Sequence, residues 1–456
     1  MTRFITFFEN SGFMLNGKVT RDLTLLALSE RQIEWLINLK IVVNGSSQFV
    51  FRVGRKDIHA RHLVGFFSSE NMSLQILPKI YNQDTPLEYS AESALTNLIF
   101  MLKKSWEVEV WTDREAKQSS VPESLIDAIV WVFATRMKKY ISLGLKKNYK
   151  HVTDESAQVR GQMKFIGAIF EPRSVIRPIC SWDEWSEDTP VNRALLGLTE
   201  LLISRVMSQK LRITLQALAA KLKATVITTK NFQPLFVENP SFKNQNYTAL
   251  IRISKIIAKN IHPSMADGKQ ENICIGFDMN HLFESYLYSI LFRYKNLLGL
   301  KSVEYQTGKR LISHYFNTID GAIQTVKLKN TFTDIMVTDH LNRKFIFDAK
   351  YKVLDNQSKA LGISNSDIYQ LTTYQRIHQI SNQETFGILV FPKATTDFAR
   401  YFRLNMNEDC WLACHSLDLM CDLTSSELQL IEGLKKTLLS AITIRAETTY
   451  SKDANS

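Results

Sequence analysis

The chain has 456 residues, 45% of them hydrophobic and 22% charged, an ordinary composition for a folded protein in water, and it is longer than a single hydrophobic core usually supports, so two or more domains are expected. It contains no low-complexity tract and no repeat with a period of roughly 20 to 50 residues, which excludes solenoids and disordered scaffolds. A formal net charge of +11 calls for a polyanionic partner or an anionic surface, because such a field attracts phosphates and releases their counterions.

The opening residues reach Glu9 too soon to form the apolar core of a secretory signal. No uncharged apolar run approaches the roughly 20 residues needed to cross a bilayer. The five cysteines are odd in number and scattered, which suits reduced thiols better than a disulfide framework. A cytoplasmic protein with no membrane partner is expected.

Residues 1 to about 85 alternate short apolar runs with polar breaks, as in Gln48–Gly54 and Leu74–Pro78, and predict a β-rich region. From Ala91 to about Ile261 the spacing becomes helical, with stripes at Leu95, Leu98, Ile99 and Leu102 and at Leu125, Ile126, Ile129, Val130 and Phe133. A further helical stretch runs from Val191 to about Lys223. Within this region Arg136 to Lys150 holds six basic residues and no acidic one; it reads equally as a track for phosphates or as a solvated helix end. Trp182 and Trp185 lie among Asp183, Glu184, Glu187 and Asp188, which would repel DNA, so they are read as packing residues.

The polar stretch His262 to Glu271, with Pro263 and Gly268, reads as a domain break. The expected organisation is therefore α+β and multidomain: residues 1–265 form an N-terminal region, β-rich over 1–85 and mainly helical over 86–265, and residues 266–456 form a C-terminal α/β domain. In that last part a helix starts near Asp278 or Asn280, with Leu282, Phe283, Tyr286, Leu287, Ile290 and Leu291 as its buried stripe. Thr331–Thr338 and Lys344–Ala349 read as strands joined by a turn at Asp339–Arg343, followed by a helix from about Asp367 to Ile380 and a strand Phe386–Phe391.

That hairpin carries the chemistry. If Asp339–Arg343 is the turn, Asp334 and Asp348 sit on neighbouring strands, close enough to share one divalent ion. Asp348 directly follows the apolar run Phe345–Phe347, a costly place for a charge unless a metal or partner compensates it. Phosphodiester hydrolysis needs such a pair beside a cation like Lys350: the ion neutralises the scissile phosphate and acidifies a bound water, while the lysine orients that water and stabilises developing charge. Hard oxygen ligands favour Mg²⁺ or Mn²⁺ over zinc. Glu284 shares a helical face with Leu287 and Leu291, which points it toward the core side and within reach of the metal, a plain surface glutamate being the alternative reading. Gln370 and Tyr374 lie one turn apart on one helical face, able to touch the site or a DNA phosphate.

Asp334, Asp348-Ala349-Lys350 and the Gln370 to Tyr374 pair resemble the PD-(D/E)xK nuclease superfamily and its RecB-like branch, with Thr333 in place of the proline before the first aspartate. A longer series runs through Leu74–Ile80, Gly144-Leu145 with Tyr149, Arg160-Gly161, Asp188-Thr189-Pro190 with Asn192-Arg193, Asp278–Asn280 with Phe283-Glu284, and Asp348–Lys352. Over about residues 70 to 400 this series resembles the McrC family, the endonuclease subunits of McrBC-type restriction systems. The resemblance implies a C-terminal PD-(D/E)xK domain on a mixed central sheet and a catalytic set of Asp334, Asp348, Lys350, Glu284, Gln370 and Tyr374. It implies metal ligands Asp334, Asp348, Ala349 and Glu284, double-stranded and modified DNA as substrate, and a separate McrB-like AAA+ GTPase ring engaged by the N-terminal region. Two other functions are weighed against this one: a self-sufficient RecB-like repair nuclease, and a non-catalytic adaptor that only stimulates the GTPase.

Two patterns are set aside. Gly12 to Lys18 has P-loop spacing, but Val19 stands where a hydroxyl should hold Mg²⁺, and Phe13, Met14 and Leu15 would crowd the loop. Cys410, Cys414, His415 and Cys421 fit no common structural zinc spacing and read as core packing.

Overall fold

The computed structural model describes residues 3–9, 11–15, 18–43, 46–61, 63–69, 72–78, 87–105, 124–155, 158–163, 179–239, 245–259, 261–263, 271–316, 323–352, 354, 362–379, 384–393, 399–404, 411–419 and 423–453. By packing, the chain divides into two units, Met1–Val108 with Cys274–Ser456, and Glu109–Ile273. The sequence reading puts a single cut at 265/266, close to the second boundary, but gives no sign that residues before 109 group with the C-terminal part. The reason is sheet pairing across sequence: from Cys274 to Asp278, the strand Glu271–Asp278 lies antiparallel to Phe67–Leu63.

In the first unit, that strand continues through Leu63–Ser68, Met72–Leu77, Arg3–Phe8, Phe13–Leu15 and Lys18–Thr20. Arg3–Phe8 pairs parallel with Met72–Leu77, and Ile5, Phe7, Phe13, Phe51, Phe67, Leu74 and Ile76 close a core on it. A helix Glu30–Asn38 interrupts this β-rich region, started by a capping box between Ser29 and Gln32. Gly12 has a packing reason, since a Cβ there would lie 1.8 Å from the Thr20 carbonyl oxygen; the Phe13–Leu15 and Lys18–Thr20 strands form a hairpin, not a phosphate loop.

The same unit holds a six-stranded sheet in the order Leu300–Phe316, Ile323–Asp339, Lys344–Ala349, Thr385–Pro392, Trp411–Leu417, Ala399–Arg403. It is mixed: the first three strands are antiparallel, the next two join in parallel, and the edge strand returns antiparallel. The helix Asn365–His378 makes the crossover between the two central parallel strands and buries Leu371 and Tyr374 against Ile346, Leu389 and Phe391. The helix Met279–Arg293 starts at Asp278, whose side chain accepts from the Asn280 N–H, and all six residues of its expected stripe are buried. Leu87–Ser105 and Leu423–Asp453 complete the helical cover; Asn97 donates to the Leu419 carbonyl at 2.8 Å, and Lys104 pairs with Glu427 at 2.8 Å.

The second unit is not purely helical. Between the helices Leu125–Leu143 and Pro190–Ile203 it contains an antiparallel sheet in the order Asn148–Glu155, Ile179–Ser186, Gln162–Met163, and the helices Gln209–Lys223, Gln233–Val237 and Gln245–Lys259 follow. Gly144 ends the first helix at φ +94, a conformation side chains avoid. The Asp188 to Arg193 series is a folding corner. Thr189 caps the next helix and Pro190 fills its first turn, while Arg193 grips Asp188 with two nitrogens. Asn192, wholly buried, donates to the Lys146 and Glu187 carbonyls at 2.9 and 2.7 Å and accepts from Tyr140 at 2.9 Å.

One expectation for this unit needs correction, that for Trp185, while the basic stretch keeps both of its readings and is partly neutralised: Lys146, Lys147 and Lys150 pair with Glu238, Glu187 and Asp188 at 2.6, 3.2 and 3.7 Å. Trp185 is not a core residue; it is 56% exposed and leans on the exposed Tyr149 across the strand pair, ring centroids 4.6 Å apart. At the expected break, Ile261–Pro263 pairs with Glu271–Ile273. Among the described residues no helix is long and apolar enough to cross a membrane.

Candidate active site

The turn His340–Arg343 is closed by Asp339, whose carboxylate accepts from the Leu341 and Arg343 N–H groups at 2.9 Å each and from Arg343 Nε at 2.7 Å, with Asn342 at φ +59. This fixes the hairpin register, Ile335 opposite Phe347. One step further along the two strands, Asp334 stands opposite Asp348. Asp348 also pairs in parallel with Leu389 of the next strand, so it occupies an interior strand and is 0% exposed.

Four polar side chains then join in series. Lys350 Nζ lies 3.0 Å from Asp348 Oδ1 and 2.8 Å from Oδ2, and it donates to Gln370 Oε1 at 3.0 Å. Gln370 Nε2 donates to the Tyr374 hydroxyl at 2.8 Å. The phase of the Gln370 helix is set by a capping box between Ser364 and Asp367, and Asp367 also binds Lys352 two residues beyond Lys350. Asp334 Oδ2 accepts from the Ala349 N–H at 2.9 Å, so Ala349 enters the site through its main chain. Glu284 accepts from Gln306 Nε2 at 3.3 Å, at the side of the aspartate pair.

The electrostatics are those of a site short of positive charge. Burial pushes the Asp348 carboxyl up to about 7, Asp334 adds to the rise, and Lys350 opposes it. Burial, then Glu284, raises Asp334. Burial raises Glu284 as well, with Asp348 contributing, against hydrogen bonds from Gln306 and Tyr305. For Lys350, burial works downward but Asp348 and Asp334 outweigh it and hold the ammonium above its ordinary value. One ammonium thus faces three carboxyls that resist ionising, and all the donors are hard oxygens, so the residues fit a small divalent cation. Among the described residues no three His, Cys, Asp or Glu side chains are already gathered as a metal cluster; Asp334 and Asp348 form the pair and Glu284 stands beside it.

Several neighbours were not foreseen. Tyr305 bonds Ser285 at 3.1 Å, and Gln306 adopts φ +48, a backbone choice that no sequence pattern announces. Tyr351, directly after Lys350, is buried beside Phe283, ring centroids 6.0 Å apart; burial, then Glu9 from the N-terminal sheet, pushes its phenol well above the usual range. Away from the site, Cys414 is buried in a strand, and His415 is hydrogen-bonded to Thr437 at 2.9 Å. Cys410 and Cys421 lie outside the described residues.

A search of curated proteins finds no match. Among solved structures, the chain is similar to one in the refined half-complex from the tetradecameric assembly of Thermococcus gammatolerans McrB AAA+ hexamers with bound McrC, with a TM-score of 0.67 and 16% identity over 96% of this chain and 99% of that one. A second similarity, to the cryo-EM structure of the Thermococcus gammatolerans McrBC complex, has a TM-score of 0.45 and 18% identity over 64% of this chain and 88% of that one, too low to carry an argument. The first supports the overall fold. The family model described as McrBC 5-methylcytosine restriction system component matches residues 58–392, well over half the length, and the chain therefore belongs to the McrBC family of restriction system components.

Proposed function

We propose that this chain is the McrC-type endonuclease subunit of a modification-dependent restriction system, hydrolysing phosphodiester bonds of double-stranded DNA at Asp334, Asp348, Lys350 and their neighbours. The observation that carries the reading is the convergence of Asp334 and Asp348 on adjacent strands with Lys350, Gln370 and Tyr374 bonded in series behind them. Asp334 and Asp348, with Glu284 beside them, would hold Mg²⁺ or Mn²⁺; when bound, such an ion neutralises the scissile phosphate and lowers the pKa of a coordinated water.

The chain's own residues do the positioning. Lys350 has two acceptors, Asp348 and Gln370, which fix its flexible stem and aim the ammonium at the edge of the aspartate pair. There it orients the attacking water and stabilises charge developing on the phosphate. Tyr374 fixes the Gln370 amide so that its oxygen, not its nitrogen, meets Lys350. Preorganised donors of this kind contribute several kcal/mol to transition-state stabilisation.

The similar structure contains McrB AAA+ hexamers with bound McrC, and on that likeness we assign this chain a separate McrB-like GTPase ring as partner, both acting in the cytoplasm on modified DNA. Nucleotide chemistry belongs to that ring, because Gly12 to Lys18 lacks the metal-binding hydroxyl. The test is cleavage of methylated and unmethylated plasmid with and without the ring, GTP and Mg²⁺. Cutting that needs all three supports the assignment; robust cutting by the isolated chain without GTP favours a self-sufficient nuclease instead.

A further inference from the structure

The strand Ile323–Asp339 carries Asp334 into the site, and alternation along it assigns the neighbouring side chains to faces. Thr333 and Ile335 are wholly buried on one face; Asp334 shares the other with Phe332. Phe332 is 55% exposed and lies two residues from Asp334, roughly 7 Å along the strand. The register that sets Ile335 opposite Phe347 puts Asp334 level with Asp348, and carried two residues further it brings Phe332 level with Lys350. Lys350 keeps to this line because its N–H donates to the Val390 carbonyl at 2.9 Å. The two carboxyls therefore form one row across the strands, and the lysine and an open phenyl ring form the next.

The ring is held in place. Across the strand pair Phe332 stands opposite Gly308, where a Cβ would lie 2.7 and 3.1 Å from the ring carbons Cε1 and Cδ1. Because residue 308 has no side chain, one edge of the ring rests on the backbone, as aromatic residues do when they cover a glycine in a strand pair. That contact accounts for the ring's orientation, yet it leaves more than half of the residue open, beside the place where the nuclease reading puts the scissile phosphate. Apolar surface held in water is unfavourable. A nucleotide offers it a better partner: bases stack on aromatic side chains whatever their sequence, and apolar side chains also wedge against base steps in a duplex. Carboxyls and an ammonium serve the metal and the phosphate; a phenyl ring adds a contact to the nucleoside.

We infer that Phe332 is a substrate-contacting residue, whose ring packs on the base and deoxyribose of a nucleotide beside the scissile phosphate and so holds that phosphate against Asp334, Asp348 and Lys350. This rests on the proposed nuclease reading and adds to it a contact that reads the nucleoside. Cleavage of methylated plasmid with the GTPase ring, GTP and Mg²⁺ is compared for wild type, Phe332→Ala and Phe332→Trp, with GTP turnover and urea denaturation followed for each. Loss of one stacking contact is expected to lower the cleavage rate about tenfold in Phe332→Ala, with GTP turnover and the denaturation midpoint unchanged. Phe332→Trp, which keeps an aromatic face, is expected to stay within about threefold of wild type. Gly308→Ala displaces the ring without removing it, and is expected to lower cleavage when Phe332 is present but not further in Phe332→Ala. Contact is read directly with the full chain carrying Asp348→Asn and a methylated duplex whose thymines are replaced by 5-iododeoxyuridine; irradiation is expected to cross-link the peptide that contains Phe332. Cutting by Phe332→Ala at the wild-type rate overturns the inference and leaves the nuclease reading standing, as do cross-links confined to other peptides. An equal loss of cutting in Phe332→Ala and Phe332→Trp, with lowered stability in both, also overturns it and makes the ring a packing element. A cross-link at Phe332 with no cutting by wild type refutes the nuclease reading alone.

Discussion

Asp348→Asn is expected to stabilise the metal-free protein while abolishing cleavage. In the folded chain this carboxyl is wholly buried next to Asp334, and its pKa rises from 3.8 to about 7 despite the contact with Lys350. At about 1.4 kcal/mol for each tenfold in proton affinity, ionising it weighs against the folded state by up to about 4 kcal/mol. Asparagine keeps the shape without the charge but weakens the Lys350 contact, so the net gain is about 1 to 3 kcal/mol at pH 8. The sign follows from linkage: the folded state holds a proton that the unfolded state has released, so wild-type stability falls as pH rises from 6 to 8, and below the folded pKa the difference from the variant shrinks. Urea denaturation of both proteins in EDTA at pH 6 and pH 8 measures this. A variant less stable than wild type at both pH values, with no narrowing between them, would refute the idea that Asp348 is held at a cost.

Four further outcomes are expected. Lys350→Ala should lower cleavage at least a hundredfold, about 3 kcal/mol of transition-state stabilisation, with partner association unchanged in a pull-down. Tyr374→Phe should cost less, roughly tenfold in cleavage rate, because it releases the Gln370 amide without removing the lysine. Mg²⁺ binding measured by calorimetry should weaken by roughly tenfold per pH unit below the Asp348 pKa, since each ion must displace a proton. Asn192→Ala, which strips three buried hydrogen bonds from the second unit, should destabilise the chain by about 2 to 4 kcal/mol in denaturation followed by tryptophan fluorescence.

The six-stranded sheet was legible because its signals are local. Alternating Thr331–Thr338, the turn residues Asp339–Arg343 and the apolar run ending at Asp348 specify a hairpin, and its register follows from the turn. Helix phase likewise follows from spacing, which is why the stripe from Leu282 to Leu291 is buried as expected. What sequence did not reveal depends on distant partners. The pairing of Leu63–Phe67 with Cys274–Asp278 joins segments some two hundred residues apart, so a chain cut near Pro263 would split a sheet instead of separating two folding units. Trp185 looked like a packing residue from its neighbours alone, yet strand alternation leaves it exposed beside Tyr149. The Gln306 bend and the burial of Tyr351 beside Glu9 likewise arise from tertiary context.

The central claim, that Asp334, Asp348 and Lys350 form a working phosphodiesterase site, is tested most directly by cleavage of methylated plasmid with the GTPase ring, GTP and Mg²⁺, comparing wild type with Asp348→Asn while GTP turnover is followed in the same tubes. The account predicts that the variant stimulates GTP turnover as well as wild type does and leaves the DNA intact. Cutting by the variant at the wild-type rate would contradict it.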